Sequence, residues 1–226
     1  YWFEDKRTVG ICGDAMKVQA FQLGRFLERR PEPQEARMLG ASTELSPLME
    51  LAATLRDRGH GDVVTYSPKV FVPLTALCRD VCHYCTFARQ PRELIHTYLS
   101  ESQVLEIARA GKERGCHEVL FTLGDKPELR YRAAREALET LGFDTTAQYL
   151  AHIAGRVFDQ TGLLPHINAG ILEADEMVAL REVSASQGIM LESAAHRLSE
   201  RGGPHYGSPD KQPKVRLANI ELAGRL

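Results

Sequence analysis

Three of the five cysteines in this chain, Cys78, Cys82 and Cys85, fall within the ten-residue stretch CRDVCHYCTF. Their C-x3-C-x2-C spacing is a metal-ligand spacing. A structural zinc closes a tetrahedron with four ligands, commonly in C-x2-C pairs, and no second pair is present. A four-iron four-sulfur cluster is also normally held by four cysteines. Three therefore leave one iron with an open position, where a small molecule can bind. A chance clustering on a buried loop fits poorly with the reactivity of crowded free thiols. Cys12 and Cys116 are read as ordinary thiols.

The 226 residues suffice for one sizeable core and are marginal for two. The 28 basic and 30 acidic side chains leave a formal charge of −2, so composition asks for neither nucleic acid nor an acidic membrane. Hydrophobic residues make up 43%, which is ordinary for a globular protein. No apolar run is long enough to span a bilayer, and YWFEDKRTVG lacks a signal-peptide pattern. Crowded thiols fit a reducing compartment, and a cytoplasmic protein is expected.

Along the chain, residues 8–30 read as a short strand, a Gly13-Asp14 turn and an amphipathic helix bearing Val18, Phe21 and Leu27. Residues 31–45, with two prolines and few large apolar side chains, read as a linker. Residues 1–45 are thus an extension and linker, and 46–226 form the main domain. Ser46 with Pro47 at the first helical position predicts a helix over 47–58. From Lys69 strands and helices alternate: a strand from Val70 to Leu74 runs into the cysteine loop, and Ser100 with Gln103 forms a capping box. Val104, Ile107, Ala108 and Gly111 then mark a helix packed on a sheet. Further strands are predicted at Glu118–Leu123, Leu163–Ile167 and Gly188–Leu191, with helices over 128–141, 145–160, 173–182 and 213–224. The alternation implies a parallel sheet, either a barrel or an open doubly wound sheet.

The cysteine pattern, with aromatic Tyr84 before the last cysteine, resembles the signature of the radical S-adenosylmethionine enzymes. The longer string VVTYSPKVFVPLTALCRDVCHYCTF (63–87) is similar to the deazaflavin synthases, specifically their ring-closing half. The same holds for FTLGDKPELR (121–130), TGLLPHINAG (161–170), GIMLES (188–193) and HYGSPDK (205–211). The resemblance implies an α/β partial parallel (β/α) barrel of radical S-adenosylmethionine type. That family uses six units; at roughly 30 or more residues per unit the stretch from Lys69 leaves no room for six, so the C-terminal strands are expected to be missing from this chain.

The resemblance also implies a four-iron four-sulfur cluster on Cys78, Cys82 and Cys85, with S-adenosylmethionine on the open iron. It implies adenine contact by Tyr84, methionine amino-group recognition at Gly124 and Asp125, and ribose or methionyl contact by Glu192. Each has a plainer reading: a packing tyrosine, a common Gly-Asp turn, an exposed strand-end glutamate. His166, Asn168, His205 and Tyr206 are candidates to face the substrate, against the plainer reading of histidines as structural residues.

The implied activity is closure of a hydroxybenzyl-ribityl-aminouracil adduct to 7,8-didemethyl-8-hydroxy-5-deazariboflavin, with loss of ammonia, through a 5'-deoxyadenosyl radical. The implied partners are a small-molecule substrate, a reductant such as flavodoxin or ferredoxin, and an adduct-forming enzyme or fused domain. Two alternatives stand beside it. One is another radical enzyme, the adduct-forming partner or a menaquinone-pathway type. The other is a non-catalytic iron-sulfur or zinc-binding fragment, which needs a fourth protein ligand, Cys116 or His83.

Overall fold

The structure, a computed structural model, describes residues 23–226. The expected strand, the Gly13-Asp14 turn, Val18, Phe21 and Cys12 lie outside the described residues. The chain divides into two units after Tyr66, downstream of the boundary expected at residue 45.

In the first unit a 3-10 turn, Gly24–Leu27, precedes helices α1 (Pro33–Gly40) and α2 (Leu45–His60). The expected linker thus contains a helix. Pro33 sits in its first turn, where a missing N–H leaves nothing unpaired, and Glu32 and Glu35 form a reciprocal capping box. Helix α2 starts at Leu45 with Glu44 as its N-cap, two residues before the expected Ser46 cap. Pro47 remains in the first turn, whose N–H groups have no partner within the helix.

The second unit, Ser67–Leu226, holds a four-stranded sheet in the order β1-β2-β3-β4. Its strands are β1 (Lys69–Pro73), β2 (Glu118–Thr122), β3 (Leu164–Asn168) and β4 (Ser186–Gln187), all paired in parallel. Between them run α3 (Glu101–Glu113), α4 (Arg132–Leu141), α5 (Thr146–Thr161) and α6 (Ala174–Arg181); α7 (Pro213–Arg225) closes the chain. Strand order that follows chain order without reversal is the order of a barrel wall, in which each unit is laid beside the last. The sheet is unclosed.

The two faces of the sheet differ as a barrel wall requires. Val72, Val119, Phe121 and Ile167 are fully or almost fully buried, packed in one core with Val104 and Ala108 of α3 and Leu150, Ile153 and Val157 of α5. Side chains of the opposite parity include Phe71 at 53% and Leu164 at 44% exposure. Ser100 caps α3 as expected: its hydroxyl accepts from Gln103 N–H, and Gln103 accepts from Ser100 N–H. No helix among the described residues is long and apolar enough to cross a membrane.

Two elements depart from expectation. The helix foreseen over 128–141 is a 3-10 turn at Pro127–Leu129 followed by α4, because Tyr131 between them is extended. Strand β4 ends before the predicted Gly188–Leu191. Gly188 N–H still donates to Ile167 O at 2.8 Å, beyond which residues 188–195 leave the sheet, with Glu192 at a positive φ of 62°.

Candidate active site

The cysteine loop leaves the carboxyl end of β1 and is laced to the carboxyl end of β2. Thr75 O accepts Gly124 N–H at 3.3 Å, and Arg79 N–H donates to Asp125 O at 2.8 Å. Gly124 is required by the closeness of this approach: a Cβ there would stand 1.8 Å from Leu77 O. From the other side Arg130 Nη1 donates to Arg79 O at 3.0 Å. The segment 204–210 completes the cradle, since His83 N–H donates to Pro204 O at 2.8 Å and Asp210 N–H to Asp80 Oδ1 at 3.1 Å.

Each of the three sulfurs lies beside polar groups of other residues. Asp125 N–H donates to Cys78 Sγ at 3.2 Å, and Ala88 N–H donates to Cys85 Sγ at 3.3 Å. Ser208 Oγ lies 3.5 Å from Cys82 Sγ. Burial pushes the Cys78 thiol up to about 12, against the pull of the Asp125 and Asp80 N–H groups. Thiolates ringed by N–H and O–H donors are the donor set an iron-sulfur cluster takes, and three of them fit a cluster with one iron left open. Cys116 cannot be the fourth ligand. It precedes β2, at the amino end of the sheet, about 26 Å of extended chain from Gly124 at the rise of a strand. His83 is exposed and lines neither of the two cavities that border the cysteines.

Beneath the loop lies a buried charge network. The carboxylates of Asp80, Asp125 and Asp210 lie within 4.8 Å of one another, and Arg216 of α7 enters among them. Its Nη2 donates to Asp125 Oδ2 at 3.0 Å and its Nε to Asp210 O at 2.7 Å. Arg79 Nε stands 3.5 Å from Asp210 Oδ2, close enough for attraction although that oxygen has no hydrogen bond. Burial, then the Asp210 charge, pushes Asp125 up to about 7, with Arg216 pulling the other way.

A cavity of about 230 Å³ opens at the carboxyl ends of the strands. It brings together Cys78, Cys82, Cys85, Tyr84, Glu192 and Asn168, and it also touches Gly124 and Asp125. Glu192 is carried by the turn beyond β4 rather than by a strand end; Lys211 Nζ holds it at 2.9 Å and keeps its carboxyl below the usual range. The Tyr84 hydroxyl lies 3.5 Å from Glu192, and its ring lies 5.5 Å from that of buried His205. The Asp125 carboxylate is already occupied, by Arg216 and by Ile171 N–H at 3.2 Å.

His166, His205 and Tyr206 do not line this cavity. His166 is bonded to Ser186 Oγ, and Tyr206 is exposed. Sequence reasoning did not single out Asp80, Ser208, Lys211 or Arg216. Two of these lie inside the HYGSPDK string, but nothing local in that string tells which side chain turns toward the cysteines. A lone arginine on a late helix carries no signal at all.

No family model matches the chain. The FO synthase of Mycobacterium tuberculosis is 48% identical over 204 residues, covering 84% of this chain and 24% of that protein. The FO synthase of Streptomyces coelicolor is 49% identical, over 97% of this chain and 25% of its own length. The 7,8-didemethyl-8-hydroxy-5-deazariboflavin synthase of Methanopyrus kandleri is 48% identical, over 73% of this chain and 49% of that protein. The chain therefore spans about a quarter to a half of these relatives. Among solved structures, the FeFe-hydrogenase maturase HydG of Carboxydothermus hydrogenoformans superposes with a TM-score of 0.68 at 20% identity, over 91% of this chain and 46% of that one. A second HydG structure gives 0.71 at 16% identity, over 93% and 45%.

Proposed function

The chain has the fold of the radical S-adenosylmethionine enzymes and resembles the FO synthases among them, and from that premise we propose that it carries the ring-closing half of deazaflavin synthesis. The reaction is conversion of a hydroxybenzyl-ribityl-aminouracil adduct to 7,8-didemethyl-8-hydroxy-5-deazariboflavin with loss of ammonia. One observation carries the reading: three thiols, each beside a polar group from another residue, line one cavity at the carboxyl ends of a barrel wall, where parallel barrels keep their chemistry.

In this reading Cys78, Cys82 and Cys85 hold a four-iron four-sulfur cluster. Given one electron by a reductant such as flavodoxin or ferredoxin, such a cluster would split bound S-adenosylmethionine into methionine and a 5'-deoxyadenosyl radical able to take a hydrogen atom from the substrate. The protein's own residues orient and shelter that chemistry. Tyr84 offers an aromatic edge for the adenine at the mouth of the cavity, and Glu192, fixed by Lys211, accepts from the ribose or methionyl part. At the Gly124-Asp125 strand end the Gly124 carbonyl is the group left to receive the methionine amino group, because the Asp125 side chain is engaged by Arg216 and the other backbone groups by Thr75, Cys78 and Arg79. Asn168, His166, His205 and Tyr206 are the candidates for substrate contact, Asn168 foremost because it lines the cavity.

The test is the electron paramagnetic resonance spectrum of anaerobically reconstituted, reduced protein with and without S-adenosylmethionine, followed by assay for 5'-deoxyadenosine and the deazaflavin. A four-iron signal that moves on adding S-adenosylmethionine, with both products formed, is the expected result. A signal indifferent to S-adenosylmethionine, or a zinc-only protein, overturns it.

A further inference from the structure

Resting on the cluster reading above, we infer that Ser208 sets the reduction potential of the iron-sulfur centre by donating its hydroxyl proton to Cys82 Sγ. Ser208 is 1% exposed, so its Oγ answers to protein partners. Val81 N–H donates to Oγ at 3.0 Å, and Cys82 Sγ lies 3.5 Å away. An oxygen lone pair is thus taken by the backbone, and the sulfur is the acceptor left for the hydroxyl proton.

The approach is built by the chain on both sides. Gly207 at φ 83° turns the backbone so that Ser208 faces the loop, and its bare Cα passes the Val81 side chain, which a Cβ would meet at 3.0 Å. His83 N–H to Pro204 O and Asp210 N–H to Asp80 Oδ1 pin the segment on either side of the contact. Cys78 and Cys85 accept backbone N–H groups, which a side-chain change short of proline leaves in place, whereas the Ser208 hydroxyl beside Cys82 is removed by substitution.

A donor on a ligating sulfur withdraws charge from the cluster and favours its reduced form. Ser208 acts through Cys82 and is a positioning residue. It tunes how readily the centre accepts the electron on which the proposed reaction depends.

The experiment is a spectroscopically followed redox titration of the reconstituted protein and of Ser208→Ala, Ser208→Thr and Ser208→Val. Threonine and valine have nearly the same shape, so that pair separates the hydroxyl from its bulk. The expected result is wild-type behaviour for Ser208→Thr. In the alanine and valine variants the reduced-to-oxidised ratio falls about tenfold at the wild-type midpoint, about 59 mV for a one-electron couple. Midpoints unchanged in alanine and valine, or shifted equally in threonine and valine, overturn the inference while leaving the cluster reading intact. A wild-type protein that takes up no four-iron cluster overturns the cluster reading itself, and the inference with it.

Discussion

Arg216 Nη2 and Asp125 Oδ2 meet at 3.0 Å with both side chains 4% exposed, and the pair joins the last helix to the carboxyl end of the second strand. Arg216 faces three carboxylates, with Arg79 as second cation at Asp210. Removing it leaves buried charge uncompensated, so Arg216→Gln is expected to destabilise the second unit by about 3–5 kcal/mol. Asp125→Asn is expected to cost far less, because burial already pushes that carboxyl up to about 7 and a neutral isostere avoids the desolvation. Chemical denaturation of both variants near pH 7 checks the order; equal losses contradict it.

Gly124→Ala forces a methyl group onto Leu77 O, a backbone atom. Overpacking costs about 1–3 kcal/mol and more where backbone must move. Here the backbone that moves carries Cys78, so reduced iron uptake should accompany the stability loss. Iron per chain after reconstitution measures it.

Cys78→Ala, Cys82→Ala and Cys85→Ala should each abolish the four-iron cluster, while Cys116→Ala and His83→Ala should retain it. Cluster absorbance and iron content decide. Retention in any of the first three, or loss in either of the last two, revives a four-ligand structural metal site.

Glu192→Gln keeps the shape of the side chain and removes the charge that Lys211 orders. Loss of one charged hydrogen bond weakens S-adenosylmethionine binding about tenfold. Titrating the cluster signal with S-adenosylmethionine reads the affinity, and an unchanged value removes Glu192 from the binding set.

Glu101 of α3 meets His152 and Arg156 of α5, and these hydrogen bonds, His152 first, hold its carboxyl below the usual range. A depressed acid lends stability above its unfolded pKa, about 4.3, and loses it as pH falls through the lower folded value. Glu101→Gln should therefore be slightly less stable than wild type at pH 6, with the gap closing below about pH 4. Because the pair is solvent-screened, added salt should shrink the gap. Denaturation midpoints across that range test the sign.

The barrel wall was legible because its elements announce themselves locally. The Ser100-Gln103 cap, the apolar stripe of α3 and the β-rich run before Cys78 each need only near neighbours in the chain. Strand β4 was not, since GIMLES is apolar enough for a strand, yet the pairing with β3 stops at Gln187. The helix Pro33–Gly40 was hidden by prolines that read as linker but sit where a helix begins. In the site, the cysteines were legible from spacing alone. Arg216, Asp80 and Ser208 were not, because their roles arise from contacts across many residues of sequence.

The stitching of residues 204–210 onto the cysteine loop also orders events in time. Val81 and Asp80 find their partners 127 and 130 residues later in the chain. At about 5–20 residues per second of synthesis, Cys82 waits roughly 6 to 25 s before the Ser208 that meets its sulfur has been made. Ser208 and Asp210 are thus added to a cysteine loop that Ala88 and Asp125 can already have braced.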